Sequence, residues 1–243
     1  MRYEATSLLG GEGIDITFTD KPVTPWGGLV LFSGLCRQVG FEDALRQALP
    51  FKLTSPNATD PVEIVLAFMA GVLTGSRRLA HVERLRWDEG VRKILGLERF
   101  VSDTTLSRFF RRFSQGSVTT VFESLMRWQI GQIKLGGEIL DRDSSVVERY
   151  GKQEGTQLGY NPKKHRRPSH HPLLAVLGKR PWVVHAWLRS GNTTSASNAE
   201  QFLEEALAML PEGVKIRHLR GDSGFGIESF LSKVESKGLS YTI

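Results

Sequence analysis

The stretch Glu138-Ile139-Leu140-Asp141-Arg142-Asp143-Ser144-Ser145-Val146-Val147 decides how this chain is read. Its apolar and β-branched residues have strand propensity, and it follows Gly136-Gly137, where the helical periodicity of the preceding sequence ends. Residues two apart on a strand share a face, so Asp141 and Asp143 point the same way. Acidic side chains on an apolar strand are costly unless they are paired or hold a metal. A carboxylate pair on one face suits a hard cation such as Mg²⁺.

Downstream, Pro172–Leu177 and Trp182–Leu188 are two more apolar runs, and the turn Gly178-Lys179-Arg180-Pro181 makes them a hairpin. Asn198 is placed to cap a helix through Met209. A strand over Val214–Leu219 then ends in Arg220-Gly221-Asp222-Ser223-Gly224, a helix runs from about Ile227 to Ser236, and Leu239–Ile243 is a last strand. The order β-β-β-α-β-α-β predicts a mixed sheet with helices packed on its faces, an α+β or α/β fold. Asp222 falls at the C-terminal end of the fourth strand, where ligand sites form in open sheets, and the sheet can bring it beside Asp143. Taken singly, each aspartate reads as a turn former or a strand-end cap. Two acidic sites on adjacent strands favour a divalent-metal site for phosphodiester chemistry.

Upstream, the chain reads as helical. Leu29–Leu49 has helical spacing broken at Gly40, and Asp60-Pro61 is a helix start, with Asp60 as cap and Pro61 in the first turn. A basic segment follows, with Arg77, Arg78, Arg84 and Arg86. Ser102 or Asp103 then caps a helix that carries Arg108, Arg111 and Arg112. Residues 88–113 have the form of a helix-turn-helix, in which the second helix enters the major groove and arginines hold phosphates. The competing reading is an ordinary amphipathic helix with Leu106, Phe109, Phe110 and Phe113 inside and a solvated arginine face. The organisation is thus a helical region over residues 1–135, DNA-binding on the first of these two readings, and a mixed-sheet region over residues 136–243.

Between the first and second strands of that sheet lies Gly159-Tyr160-Asn161-Pro162-Lys163-Lys164-His165-Arg166-Arg167. From Tyr160 to Arg189 the basic residues Lys163, Lys164, Arg166, Arg167, Lys179, Arg180 and Arg189 are joined by no acid. Beside a carboxylate metal site, such a field would hold a phosphate backbone, with His165 able to contact flanking nucleotides. Read alone, it is a solvated basic loop. The whole chain of 243 residues carries 32 Lys and Arg against 26 Asp and Glu, a net charge of +6 that favours a polyanionic partner.

Composition excludes other classes. With 40% hydrophobic and 24% charged residues the chain is that of a folded globular protein. One cysteine, Cys36, allows no internal disulfide, and no apolar run reaches the ~18 residues needed to cross a bilayer. Without a signal-like N-terminus, the location expected is the cytoplasm, with no membrane partner.

Five strings in order, Leu140–Val147, Tyr150-Gly151-Lys152-Gln153-Glu154-Gly155, Gly159–His165, His171-Pro172-Leu173-Leu174 and Arg220-Gly221-Asp222-Ser223-Gly224-Phe225, resemble the DDE transposases of bacterial insertion sequences, specifically the insertion sequence 1380 group. The resemblance implies an N-terminal DNA-binding region and part of a ribonuclease H-like catalytic domain. It implies metal-dependent cleavage and strand transfer on double-stranded DNA, at terminal inverted repeats and target, by a homo-oligomer. The family's first catalytic aspartate falls on Asp143, which precedes Ser144-Ser145, with Asp141 as the near alternative; its second falls on Asp222. Asp143 and Asp222 are then the metal ligands for Mg²⁺ or Mn²⁺, two ions being expected in a complete enzyme. The third acid, a downstream glutamate, has no counterpart before Ile243, and a truncated form is the expectation that follows. One alternative is a catalytically inactive DNA-binding fragment acting as competitor or regulator of transposition. Another is a nuclease of the ribonuclease H type acting on hybrids.

Overall fold

A computed structural model describes residues 2–5, 14–17, 19–52, 55, 57–135, 137–151, 153–159, 166–178 and 182–243. The chain divides into two compact units, Met1–Val118 and Thr119–Ile243. The division falls earlier than the composition change near residue 136. The reason is that Met126, Ile130 and Ile133, in or just after a helix spanning Gln115–Gly131, pack into the core of the second unit.

The first unit opens with an antiparallel hairpin, β1 (Arg2–Ala5) and β2 (Ile14–Thr17), an addition to the all-helical reading. The helices follow as the sequence sets them. α1 (Leu29–Gln38) and α2 (Phe41–Ala48) are separated by Gly40, whose φ of 66° no β-carbon-bearing residue adopts cheaply. α3 (Pro61–Leu73) starts at Asp60, whose side chain accepts the Val62 amide at 2.9 Å, with Pro61 in the first turn. α4 (Leu79–Val82) runs into a short 3₁₀ turn. α5 (Glu89–Leu95) is capped by Asp88, and α6 (Asp103–Phe110) by Ser102. Leu29, Ile64, Ala67, Val82, Val91, Leu106 and Phe109 form one core. α7 (Gln115–Gly131) follows. No helix among the described residues is long and apolar enough to cross a membrane.

The second unit is built on a five-stranded mixed sheet in the order β10-β9-β3-β7-β8. β3 (Gly137–Ser144) is central. It runs antiparallel to β7 (Leu173–Leu177), which pairs antiparallel with β8 (Trp182–Trp187), and parallel to β9 (Lys215–Arg220), which pairs parallel with β10 (Ser240–Thr242). α8 (Ala199–Ala208) joins β8 to β9, and α9 (Glu228–Ser236) joins β9 to β10. This is the mixed sheet and the element order expected for a ribonuclease H-like domain.

Two details depart from the sequence reading. The first strand stops at Ser144, and a separate three-stranded sheet, β4 (Val147–Glu148), β6 (Pro168–His170) and β5 (Gln157–Leu158), intervenes before β7. The crossover helices also lie on one face of the sheet rather than on both. Phe202 of α8 and Phe230 of α9 both contact the Arg142 side chain, on the face that also presents buried Leu140. Both crossovers step in the same direction across the sheet, from β8 to β9 and on to β10, so the right-handed rule places both helices on the same side. Asn198, expected as a cap, makes no side-chain cap bond and sits in the left-handed region at φ 53°.

Candidate active site

Alternation along β3 sends Leu140 and Arg142 to the helix-covered face and Asp141 and Asp143 to the other. Arg142 is 3% exposed, whereas Asp143 is exposed and Asp141 half-buried. The parallel register pairs Asp141 with Arg220, and Arg220 grips the Asp141 carboxylate at both oxygens, with Nε–Oδ1 2.5 Å and Nη2–Oδ2 2.6 Å. This pairing raises the Arg220 pKa above its ordinary value. No described residue bonds to Asp143. Extended by two residues, the same register sets Asp143 opposite position 222, just past the end of β9.

Asp222 opens the 3₁₀ turn Ser223–Phe225, its Oδ1 accepting the Gly224 amide at 2.9 Å. Phe225 is fully buried and anchors this turn. The flanking glycines leave room for the chain's own side chains. A Cβ on Gly221 would stand 3.0 Å from the Phe225 ring, and one on Gly224 would stand 2.9 Å from both Asp222 Oδ1 and Ser195 Oγ.

Beneath the turn lies Arg142. Its guanidinium packs 4.4 Å from the Phe225 ring centre, 4.4 Å from that of Phe230 and 5.4 Å from that of Phe202. None of its three nitrogens has a hydrogen-bond partner among the described residues. Burial pushes its pKa down to about 9, with the Arg189 charge adding to the effect and Asp222 opposing it. Ring faces partly replace the lost hydration of such a cation.

Arg189 contradicts its place in the expected phosphate-binding field. It is 8% exposed, and its guanidinium binds the carbonyls of His171, Thr194 and Ser197. Lys163, Lys164, His165, Lys179 and Arg180 lie outside the described residues. Arg166 and Arg167 are exposed; Arg166 has φ 59°, and the Arg167 guanidinium sits 5.1 Å from the Tyr150 ring centre.

In the first unit Arg108, Arg111 and Arg112 are all exposed, with no acidic partner among the described residues, and Arg112 lies 3.9 Å over the Phe51 ring. α6 packs on α3 and α4. Seven residues, Gly96–Ser102, separate it from α5, longer than the three- or four-residue turn of a compact helix-turn-helix.

Sequence reasoning missed the part played by Ser195, Ser144 and His171. Ser144 Oγ is 2.7 Å from Ser195 Oγ and 3.2 Å from His171 Nε2, and His171 Nδ1 is 2.6 Å from the Thr193 carbonyl. The available signal was the hydroxyl-rich run Thr193-Thr194-Ser195-Ala196-Ser197 before α8. Among the described residues no group of three or more His, Cys, Asp or Glu side chains is close enough to hold a metal ion. The site offers two carboxylates.

The class is that of an α+β protein with a mixed sheet, whose central strand carries Asp143 next to its last residue and whose parallel neighbour is followed two residues on by Asp222. Residues 6–243 match the family described as transposase DDE domain group 1, and the chain belongs to that family. Among solved structures, it is similar to the piggyBac transposase synaptic complex with hairpin DNA, at 13% identity and TM-score 0.48, covering 87% of this chain and 50% of that one. It is also similar to the Mos1 transposase paired-end complex with left transposon end, at 8% identity and TM-score 0.31, covering 79% and 61%. A third is the Mos1 mariner paired end complex with Mn, at 10% identity and TM-score 0.29, covering 90% and 78%. The chain therefore spans about half the length of the piggyBac chain. No curated protein matches it.

Proposed function

We propose that this chain belongs to a transposase that cuts and joins DNA at the ends of an insertion sequence, of the insertion sequence 1380 group, with Asp143 and Asp222 holding a divalent cation. The reading is supported by the family match over residues 6–243 and by the β3–β9 register, which, extended two residues past its last pair, brings Asp143 level with Asp222. The donor set fits Mg²⁺ or Mn²⁺. Among the described residues nothing bonds to Asp143, and Asp222 commits one oxygen to the Gly224 amide. One or two carboxylates with waters are an ordinary Mg²⁺ set. When bound, such an ion polarises the scissile phosphate and activates water or a 3′-hydroxyl, and a complete enzyme of this type uses two. The protein's own part is to hold two carboxylates rigidly at adjacent strand ends and to keep Asp141 out of the site by pairing it with Arg220. Arg108, Arg111 and Arg112 in the first unit, and Lys163, Lys164, His165, Arg166 and Arg167 in the second, are the proposed DNA contacts, on duplex bound by a homo-oligomer in the bacterial cytoplasm. The expected organisation, DNA-binding through residue 135 and catalytic from residue 136, is part of this proposal.

The test is nicking of a duplex bearing terminal repeats in Mg²⁺ or Mn²⁺, by this chain and by Asp143→Asn and Asp222→Asn. Cleavage by the first and by neither variant supports the reading. Binding without cleavage by all three supports instead a DNA-binding competitor or regulator. Equal cleavage by all three would overturn the assignment of both aspartates.

A further inference from the structure

The loop between β8 and α8 bonds to Ser144, the neighbour of Asp143, and runs close to Gly224 in the Asp222 turn. Its shape is set from inside by Arg189, whose guanidinium gathers the carbonyls of Thr194 and Ser197 while its Nε holds that of His171. Ser195 is thereby presented between two places. One is Ser144, the neighbour of Asp143, at 2.7 Å. The other is the Asp222 turn, where Ser195 Oγ and Asp222 Oδ1 stand on either side of the space above Gly224.

The hydrogen bonds along this chain have a direction. The Thr193 carbonyl can only accept, so His171 Nδ1 donates to it at 2.6 Å. In the neutral ring, Nε2 then accepts from the Ser144 hydroxyl at 3.2 Å, and Ser144 Oγ accepts from Ser195. Each hydroxyl proton is committed, so neither serine rotates freely, and Ser195 is locked to the end of β3.

We infer that Ser195 is a positioning residue that fixes the separation between Asp143 and Asp222. The inference rests on the reading of those two aspartates as metal ligands. Ser195 acts through its hydrogen bond to Ser144 on one side and its closeness to the Asp222 turn on the other, where a β-carbon on Gly224 would stand 2.9 Å from Ser195 Oγ. A partner of this kind typically changes metal affinity by about 10-fold or more.

The experiment is titration of the full chain with Mn²⁺ alone, by calorimetry and by loss of the free-ion paramagnetic signal, with a thermal melt of every variant. Ser195→Ala should weaken Mn²⁺ binding about 10-fold while the melt is unchanged. Gly224→Ala, which presses on the same point from the other side, should weaken it as well and serves if Ser195→Ala does not fold. Thr194→Ala, which removes only a bond to Ser197 in the same loop, should bind as the parent does. Parent-like affinity in Ser195→Ala overturns the inference, and so does an equal loss in Thr194→Ala. If Asp143→Asn and Asp222→Asn bind Mn²⁺ as the parent does, the reading of the aspartates falls first and the positioning role falls with it.

Discussion

Arg220 closes a two-point ion pair on Asp141 across the parallel β3–β9 pair, whereas nothing among the described residues bonds to Asp143. Sequence spacing made the two aspartates equivalent; the pairing separates them. Asp141→Asn should therefore keep Mn²⁺ binding and shift the melting temperature only slightly, because the pair is solvent-screened. Asp143→Asn should abolish binding with an unchanged melt. Titration of both variants decides, and the reverse pattern would make Asp141 the ligand.

Arg142 is a buried cation without a hydrogen-bond partner among the described residues, and such a group is a net cost to folding. Arg142→Met should leave stability unchanged or raise it by up to about 4 kcal/mol. The Asp222 turn would lose the guanidinium packed on Phe225, so Mn²⁺ affinity should fall. The pH dependence has a defined sign. Folding lowers this pKa from its ordinary value to about 9, so between the two the unfolded chain holds the extra proton. The stability of the parent relative to Arg142→Met should be flat below pH 9 and rise above it. Urea denaturation at pH 7 and pH 10 measures the difference.

Gly159 and Gly191 meet backbone to backbone where the small sheet lies against the β8–α8 loop. A Cβ on Gly159 would fall on the Gly191 carbonyl, and one on Gly191 would fall on Ser169. Backbone stands in the way at both positions, since the Gln157 and Ser169 carbonyls lie 2.5 Å from a Cβ on Gly191. Alanine at either position should cost about 3 kcal/mol, read by urea denaturation. A loss of less than about 0.5 kcal/mol, the range of an unremarkable surface change, would show that this contact does not exist in solution.

Arg108, Arg111 and Arg112 are exposed beside one another at the C-terminal end of α6. Replacing Arg108 or Arg111 by alanine should weaken DNA binding for all sequences alike and reduce the slope of log affinity against log salt by about 0.9 each. Arg112→Ala should add a small loss of stability, since that guanidinium also lies on Phe51. Fluorescence anisotropy across a salt series reads the slope, and an unchanged slope removes α6 from the interface.

The two apparent helix caps make a matched pair. Ser102 accepts the Thr105 amide at 3.2 Å, and Ser102→Ala should cost about 1 kcal/mol. Asn198 caps nothing and holds a positive φ, so Asn198→Gly should be neutral or stabilising. Thermal melts of the two variants test the contrast.

Local chemistry was legible wherever one short segment settles its own conformation. Asp60-Pro61 starts α3, Gly40 separates α1 from α2, and the apolar runs of the main sheet fall where β7, β8 and β9 stand. The small sheet was illegible because β4 and β5 are two residues each and owe their existence to pairing with β6 rather than to propensity. Arg189 looked like one more residue of a basic surface, because a charge run does not reveal which member turns inward to bind carbonyls. For the proposed site, Asp143 and Asp222 are candidates that sequence alone supplies. The pairing of Asp141 with Arg220, and the bond between Ser144 and Ser195, depend on contacts 79 and 51 residues apart along the chain.

The central position of β3 has a consequence for the order in which the molecule forms. Its neighbour on one side arrives with β7, but β9 enters only after α8, and Arg220 meets Asp141 across 79 residues. Closing so long a loop is entropically slow and is repaid only when the parallel pair is complete. The two aspartates are therefore strangers through most of folding. A nascent chain that has completed the β3–β7–β8 meander already has a sheet, and has not yet brought Asp222 beside β3.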